Sequence, residues 1–251
     1  MEKRTDIQIF EYTHKPLDYG IWDNQLYTPL EVGAYYREPI EKVRDNRGDN
    51  ISEWNPILAE ITGTYWIWKN APKDLKYIGT CQYRRRIEFP EDENFDELFD
   101  QCDVVAVEPI ENCNPWLQYS WCHSEKDMTD LKAAIVDTCP DMLFYFERYI
   151  ENGSKIYYSN SFILRREDFD EYCKFLFKIF EWFQAERKWV DPATAIEDVK
   201  NEILNGSRKN DRGYRYQSQI GGFLAERIWT MWVQSKYERV GLVPYKKYEG
   251  V

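Results

Sequence analysis

What most constrains this chain is an alternation of short β-favouring runs with longer stretches of helical periodicity. The runs are Ile7 to Phe10, Tyr77 to Gln82, Asp103 to Val107 and Tyr157 to Leu164. Between the first two, Asn55-Pro56 supplies an N-cap residue followed by proline at the first helical position. Ile57, Ile61, Tyr65 and Trp68 then recur at helical spacing up to Asn70-Ala71-Pro72. Helical patterns also run from about Glu125 to Val136, Met142 to Ile150, Glu167 to Phe183 and Gln219 to Gln234, and the chain closes on an apolar segment at Val240 to Val243. Strands alternating with helices imply an α/β fold, a mixed central sheet with helices on both faces. Residues 17–55 read as loop with one short helix, and residues 187–216 as the least structured insertion. With 251 residues, 43% of them hydrophobic, and no repeat or linker, residues 1–251 are expected to form one domain with a substantial core.

Charge and cysteine usage exclude several classes of function. A net charge of -11 opposes a broad phosphate-backbone interface, so nucleic acid is not an expected partner. An acidic protein that binds an anionic nucleotide must gather its cations locally, which makes any dense arginine cluster informative. Six cysteines without close spacing, and only His14 and His123 as histidines, are poor material for a zinc site. No apolar run reaches the ~20 residues that span a bilayer. The expectation is a cytoplasmic protein, with work at the inner membrane face left open.

Five constellations could carry chemistry. At the end of a predicted strand, Gln82-Tyr83-Arg84-Arg85-Arg86 sits where open α/β sheets bind ligands. Its guanidinium groups could clamp a diphosphate or pair with surface acids. His14-Lys15-Pro16 follows the first strand, and Gly48-Asp49-Asn50 offers polar groups to a base or ribose, or simply makes a turn. Gly221-Gly222 opens a helix bearing Glu226 and Arg227, and Glu226 is either a desolvated general base or half of a surface ion pair. His123 is a competing proton carrier or a helix cap. Asn160, in a predicted strand, either touches ligand or satisfies its burial internally. No Asp-x-Asp pair accompanies these motifs, the nearest approximation being Glu91-Asp92-Glu93. Arginine could therefore supply the neutralisation that a divalent ion gives elsewhere.

Taken in order, the motifs resemble a bacterial glycosyltransferase family catalogued as domain of unknown function 4422. That family is encoded in capsule, exopolysaccharide and lipopolysaccharide loci and has been associated with galactofuranose transfer. The matching residues are Thr13 to Pro16, Gly48 to Ser52 with Asn55-Pro56, Tyr65 to Asn70, Tyr83 to Arg85, Asn160 with Phe162-Ile163, and Gly222 to Arg227. Two of the motifs depart: Gln82 stands where the family usually has His, and Ser161 and Leu164 replace methionines.

The resemblance implies a GT-A-like fold and transfer of a hexose, galactofuranose among the candidates, from a UDP-sugar to a surface polysaccharide. The acceptor would be a glycan or lipid-linked glycan, reached alongside other polysaccharide-assembly enzymes. It implies donor binding by His14, Asp49, Asn50, Lys69, Tyr83, Arg84, Arg85, Asn160 and Arg227, with Glu226 or His123 as base. A divalent ion, Mn or Mg, remains an open alternative to arginine. A non-catalytic carbohydrate-binding or scaffold protein is the competing class, and a sugar phosphotransferase is disfavoured by the missing Gly-rich phosphate loop.

Overall fold

The computed structural model describes residues 4–16 and 25–248. Its strands, in chain order, are β1 (Ile7–Thr13), β2 (Tyr27–Glu31), β3 (Val43–Arg44), β4 (Tyr77–Gln82), β5 (Arg85–Ile87), β6 (Val104–Val107), β7 (Ile110–Glu111), β8 (Lys155–Ile156), β9 (Phe162–Arg165), β10 (Val240–Val243) and β11 (Tyr245–Lys247). The longer helices are α1 (Ile61–Asn70), α2 (Pro115–Cys122), α3 (Glu125–Thr138), α4 (Arg166–Glu186), α5 (Pro192–Leu204) and α6 (Ile220–Lys236). The main sheet runs β10-β6-β9-β4-β1-β2-β3. Only β9 opposes its neighbours along this path. The expected mixed α/β sheet flanked by helices is therefore present.

Period-two alternation explains why the sheet carries a core on each face. Phe10, Ile78, Phe162 and Leu164 pack with residues of α1, α3, α4 and α6. Ile7, Ile9, Tyr77 and Ile163 face the other way, against Phe95 and Phe99 of the short helix Phe95–Gln101. Each such side chain contributes about 1.5–3 kcal/mol when fully buried.

Four expectations are corrected by the fold. The stretch 17–55 is not all loop: β2 is a buried strand parallel to β1, and β3 extends the sheet, while residues 17–24 lie outside the described residues. Pro29 sits within β2, a residue that discourages a strand reading. The insertion 187–216 contains α5, opened by Asp191 and Thr194 in a reciprocal cap and by Pro192 in its first turn. The predicted strand Tyr157 to Leu164 shortens to β9, because Ser159 and Asn160 adopt positive φ of 67° and 46° and turn the chain. Finally, the helix begun at Asn55 breaks after Leu58. Ala59 has φ 49°, and Asn55 Nδ2 donates to the Ala59 carbonyl at 2.7 Å to hold it. Such a conformation for a residue with a Cβ costs on the order of 1–3 kcal/mol, and strain of that size is retained where it sets up a site.

Candidate active site

The parallel strands β1, β2 and β4 end together, since Tyr12 pairs with Gln82 and Thr13 with Glu31. Beyond those carboxyl ends lies a cleft of about 460 Å³, a volume suited to a nucleotide-sized ligand. Each wall is delivered by a different element. His14 follows β1, Tyr83 and Arg84 form the β4–β5 turn, Arg85 opens β5, and Glu226 projects from the first turns of α6. Gly221 is what lets α6 begin here, because a Cβ there would lie 3.1 Å from the Ile57 carbonyl oxygen. The glycine pair thus serves helix packing at Gly221, and only Gly222 lines the cleft.

Cations crowd one side. Arg37, Arg84, Arg85 and Arg212 all line the cleft. Arg37 is held because Asp45 accepts from the backbone N–H of Gly33 and Ala34 at 2.9 and 3.0 Å, while buried Arg44 donates to the Arg37 carbonyl at 2.8 Å. His14 meets Tyr83 edge-on, and desolvation, followed by the nearby Arg37, Arg84 and Lys15, lowers its pKa. It is therefore largely neutral at pH 7. Arg86 leaves the run: it is buried on the other side, 3.7 Å from Glu11 and 3.6 Å over the Tyr27 ring. Arg85 and Arg86, neighbours on β5, thus point to opposite faces as strand alternation requires, while Arg84 reaches the cleft from the preceding turn.

The same cleft is lined by two carboxylates, Glu60 and Glu226. Glu226 accepts from the Ser159 N–H and from Arg227 Nη1, each at 2.9 Å. Desolvation raises its pKa, with Arg227 and the Ser159 N–H opposing the rise. Glu60 accepts from Asn160 Nδ2 at 2.9 Å and Gln82 Nε2 at 3.2 Å. Asn160 therefore stands behind the wall, and Arg227, buried against the Tyr119 ring and Gln118, reaches the cleft through Glu226.

Several expected positions lie elsewhere. Asp49 accepts from the Tyr65 hydroxyl at 3.1 Å, and Asn50 closes its own turn by donating to the Gly48 carbonyl at 2.8 Å. Lys69 lies 3.5 Å over the Trp68 ring. None of these three lines the cleft: Asp49 and Asn50 belong to a turn braced on α1, and Lys69 is in the last turn of α1. His123 is buried among Tyr119, Tyr216 and Phe223, with its pKa pushed down to about 4 by burial and then by Arg227. It too is absent from the cleft wall.

Glu60, Arg37 and Arg212 escaped the sequence reading. Glu60 was masked by the continuous helical pattern that Ala59 interrupts. Arg212 was hidden in a stretch taken for unstructured. The chain also does spell Asp-x-Asp once, at Asp168-Phe169-Asp170, which corrects the expectation that no such pair exists. That pair lies in α4, next to the Arg165 end of β9, which pairs with the Tyr77 end of β4 and so faces away from the cleft.

The family whose profile matches the chain is described as "Domain of unknown function (DUF4422)", over residues 8–237, a span that includes every cleft residue named above. Among solved structures, the apo structure of the WbbM bifunctional glycosyltransferase aligns with a TM-score of 0.74 at 20% identity. The alignment covers 98% of this chain and 46% of that one, so this chain spans about half its length. At this identity the likeness is one of fold, and the GT-A-like expectation agrees with it. Comparison with curated proteins gives no match.

Proposed function

The chain belongs to the family of domain of unknown function 4422, and from that premise we propose that it is a glycosyltransferase using a UDP-hexose donor. The observation that carries this reading is that one cleft at the strand ends is lined by four arginines and two carboxylates. Group transfer from a nucleotide sugar needs both. Cations stabilise the leaving diphosphate, and a carboxylate takes the acceptor's proton. The fold held in common with WbbM supports it further. The donor sugar of this reading is galactofuranose, and the acceptor is a surface-polysaccharide chain, free or lipid-linked.

Arginine takes the place of a metal in this reading. Among the described residues, no three His, Cys, Asp or Glu side chains gather to hold an ion. Glu60 and Glu226 already accept hydrogen bonds within the protein. Transfer from UDP-galactofuranose, followed by UDP release, is expected to keep most of its rate in excess EDTA. Activity restored only by added manganese would overturn the arginine assignment. UDP itself should raise the unfolding temperature, because a ligand that binds only the folded state stabilises it.

The acceptor would approach over an exposed face beside the cleft. Leu117 and Trp121, one turn apart on α2, are 54% and 68% exposed. Lys209 Nζ donates to the Ser120 and Trp121 carbonyls at 2.7 and 2.6 Å, and exposed Arg212 and Arg215 follow. This cationic, aromatic face suits an anionic bilayer, where each basic side chain is worth about 1 kcal/mol. Co-sedimentation with phosphatidylglycerol vesicles, weaker for Trp121→Ala, is the expected result. Equal retention on neutral phosphatidylcholine would reject it. No helix among the described residues is long and apolar enough to cross a membrane.

A further inference from the structure

The two cleft carboxylates differ in what their oxygens are free to do. Glu226 is engaged at both: Oε1 receives the Ser159 N–H, and Oε2 receives the guanidinium of Arg227. Neither oxygen can take up an acceptor's proton without giving up a bond the fold already makes. Glu60 is arranged differently. Both of its hydrogen bonds, from the neutral amides of Asn160 and Gln82, converge on Oε1. They fix the orientation of the group without adding charge.

Its other oxygen, Oε2, lies toward Gly222, where a Cβ would come within 3.5 Å of it. The absence of a side chain at Gly222 keeps the space beside Oε2 clear. Two irregularities of the backbone place this group and its partner. The break at Ala59, φ 49°, sets Glu60 ahead of α1 and on the cleft wall. The left-handed pair Ser159 and Asn160 aims the Asn160 amide at it and the Ser159 N–H at Glu226. Asn160 Nδ2 also reaches the Gly222 carbonyl at 3.4 Å, tying the amide to α6.

We propose that Glu60 is the catalytic base, with Gln82 and Asn160 as its positioning residues and Glu226 as a structural anchor beside it. The assignment rests on the glycosyltransferase reading. The acceptor O–H bond breaks as its proton moves to Glu60 Oε2. The freed oxygen bonds to the anomeric carbon, whose bond to the diphosphate oxygen breaks. The electron pair leaves on UDP, opposite Arg84 and Arg85. One displacement with one base inverts the anomeric centre.

The test compares Glu60→Gln and Glu226→Gln in the full chain, with UDP-galactofuranose and an octyl galactoside acceptor. Gln at 60 retains an oxygen to accept from Asn160 and Gln82, so a merely structural role would leave turnover intact. The expected result is a fall in kcat of about 10²–10⁴ for Glu60→Gln. Its UDP affinity by calorimetry and its unfolding temperature should match wild type, and wild-type product should be inverted by NMR.

Gln82→Ala and Asn160→Ala should lower kcat while leaving the KM for the donor and the unfolding temperature near wild type, because each frees the carboxylate from its fixed orientation. Glu60→Gln turning over near the wild-type rate, or Glu226→Gln alone collapsing, overturns the assignment. If wild type transfers nothing from this or any other UDP-hexose, the glycosyltransferase reading fails first and this assignment falls with it.

Discussion

Asp127→Ala is expected to destabilise the protein by about 3–5 kcal/mol, measured by urea unfolding, because it removes the shared partner of two buried cations. Arg208 donates to Asp127 through both terminal nitrogens, at 2.8 and 2.7 Å, Arg187 through Nη2 at 2.8 Å, and the Tyr119 hydroxyl at 2.7 Å. Asp127 and the Arg208 side chain are wholly buried. Glu202 and Asp130 take the remaining guanidinium donors at 2.7 and 2.8 Å, so alanine would leave Arg208 with one acidic partner for a full charge.

The pH dependence has a definite sign. Burial alone would raise the Asp127 pKa, but Arg208 and Arg187 outweigh it, and the folded value lies below the ordinary one. The stabilisation is therefore present above the unfolded pKa and lost as pH falls through the folded one. Acid unfolding should be less steep for Asp127→Asn. A loss below about 1 kcal/mol for Asp127→Ala would show that the network breaks even against its desolvation. The network also braces residues 208–217, which bring Arg212 and Tyr216 to the cleft, so UDP affinity should fall as well.

That brace shows where sequence reasoning reached and where it stopped. β4 and β6 were legible as short runs buried on both faces, α3 and α4 by one apolar stripe, and α6 by a long apolar pattern buried nearly all round. The arginine run stood out as a motif, but its two readings, ligand clamp or ion pair, stood level in the sequence: Arg86 pairs with Glu11, while Arg84 and Arg85 line the cleft. Glu60 was not legible, since its importance comes from a positive φ at Ala59 that nothing in the local pattern announces. Asp49 and Asn50 misled for the converse reason. Their polarity suits a pocket, but it is used up by Tyr65 and by their own turn. A motif identifies residues that matter together and leaves undetermined which of them face ligand and which hold the others in place. Asn160, expected either to touch ligand or to satisfy its burial internally, spends its amide on the Glu60 carboxylate.

The largest effect on binding is expected from removing both arginines of the β4–β5 turn. A hydrogen bond to a charged group is worth about 1.5–3 kcal/mol, so Arg84→Ala with Arg85→Ala should weaken UDP by roughly 10²–10⁴-fold if each engages the diphosphate. Neither forms a salt bridge with an acid among the described residues. Arg84 lies 5.2 Å over the Tyr83 ring and Arg85 6.0 Å over that of Tyr245. Their removal should therefore leave folding stability nearly unchanged, in contrast to Asp127.

UMP provides the internal control. It lacks the β-phosphate, so its affinity should fall much less than that of UDP, and the wild-type preference for UDP over UMP should shrink. Equal losses for both nucleotides would move the arginines from the β-phosphate to the α-phosphate or the base. No loss for either would leave Arg37 and Arg212 as the clamp and remove the run from the donor site. Rising salt should erode UDP binding in wild type more steeply than in the double variant, because Arg84 is exposed and screened by ions.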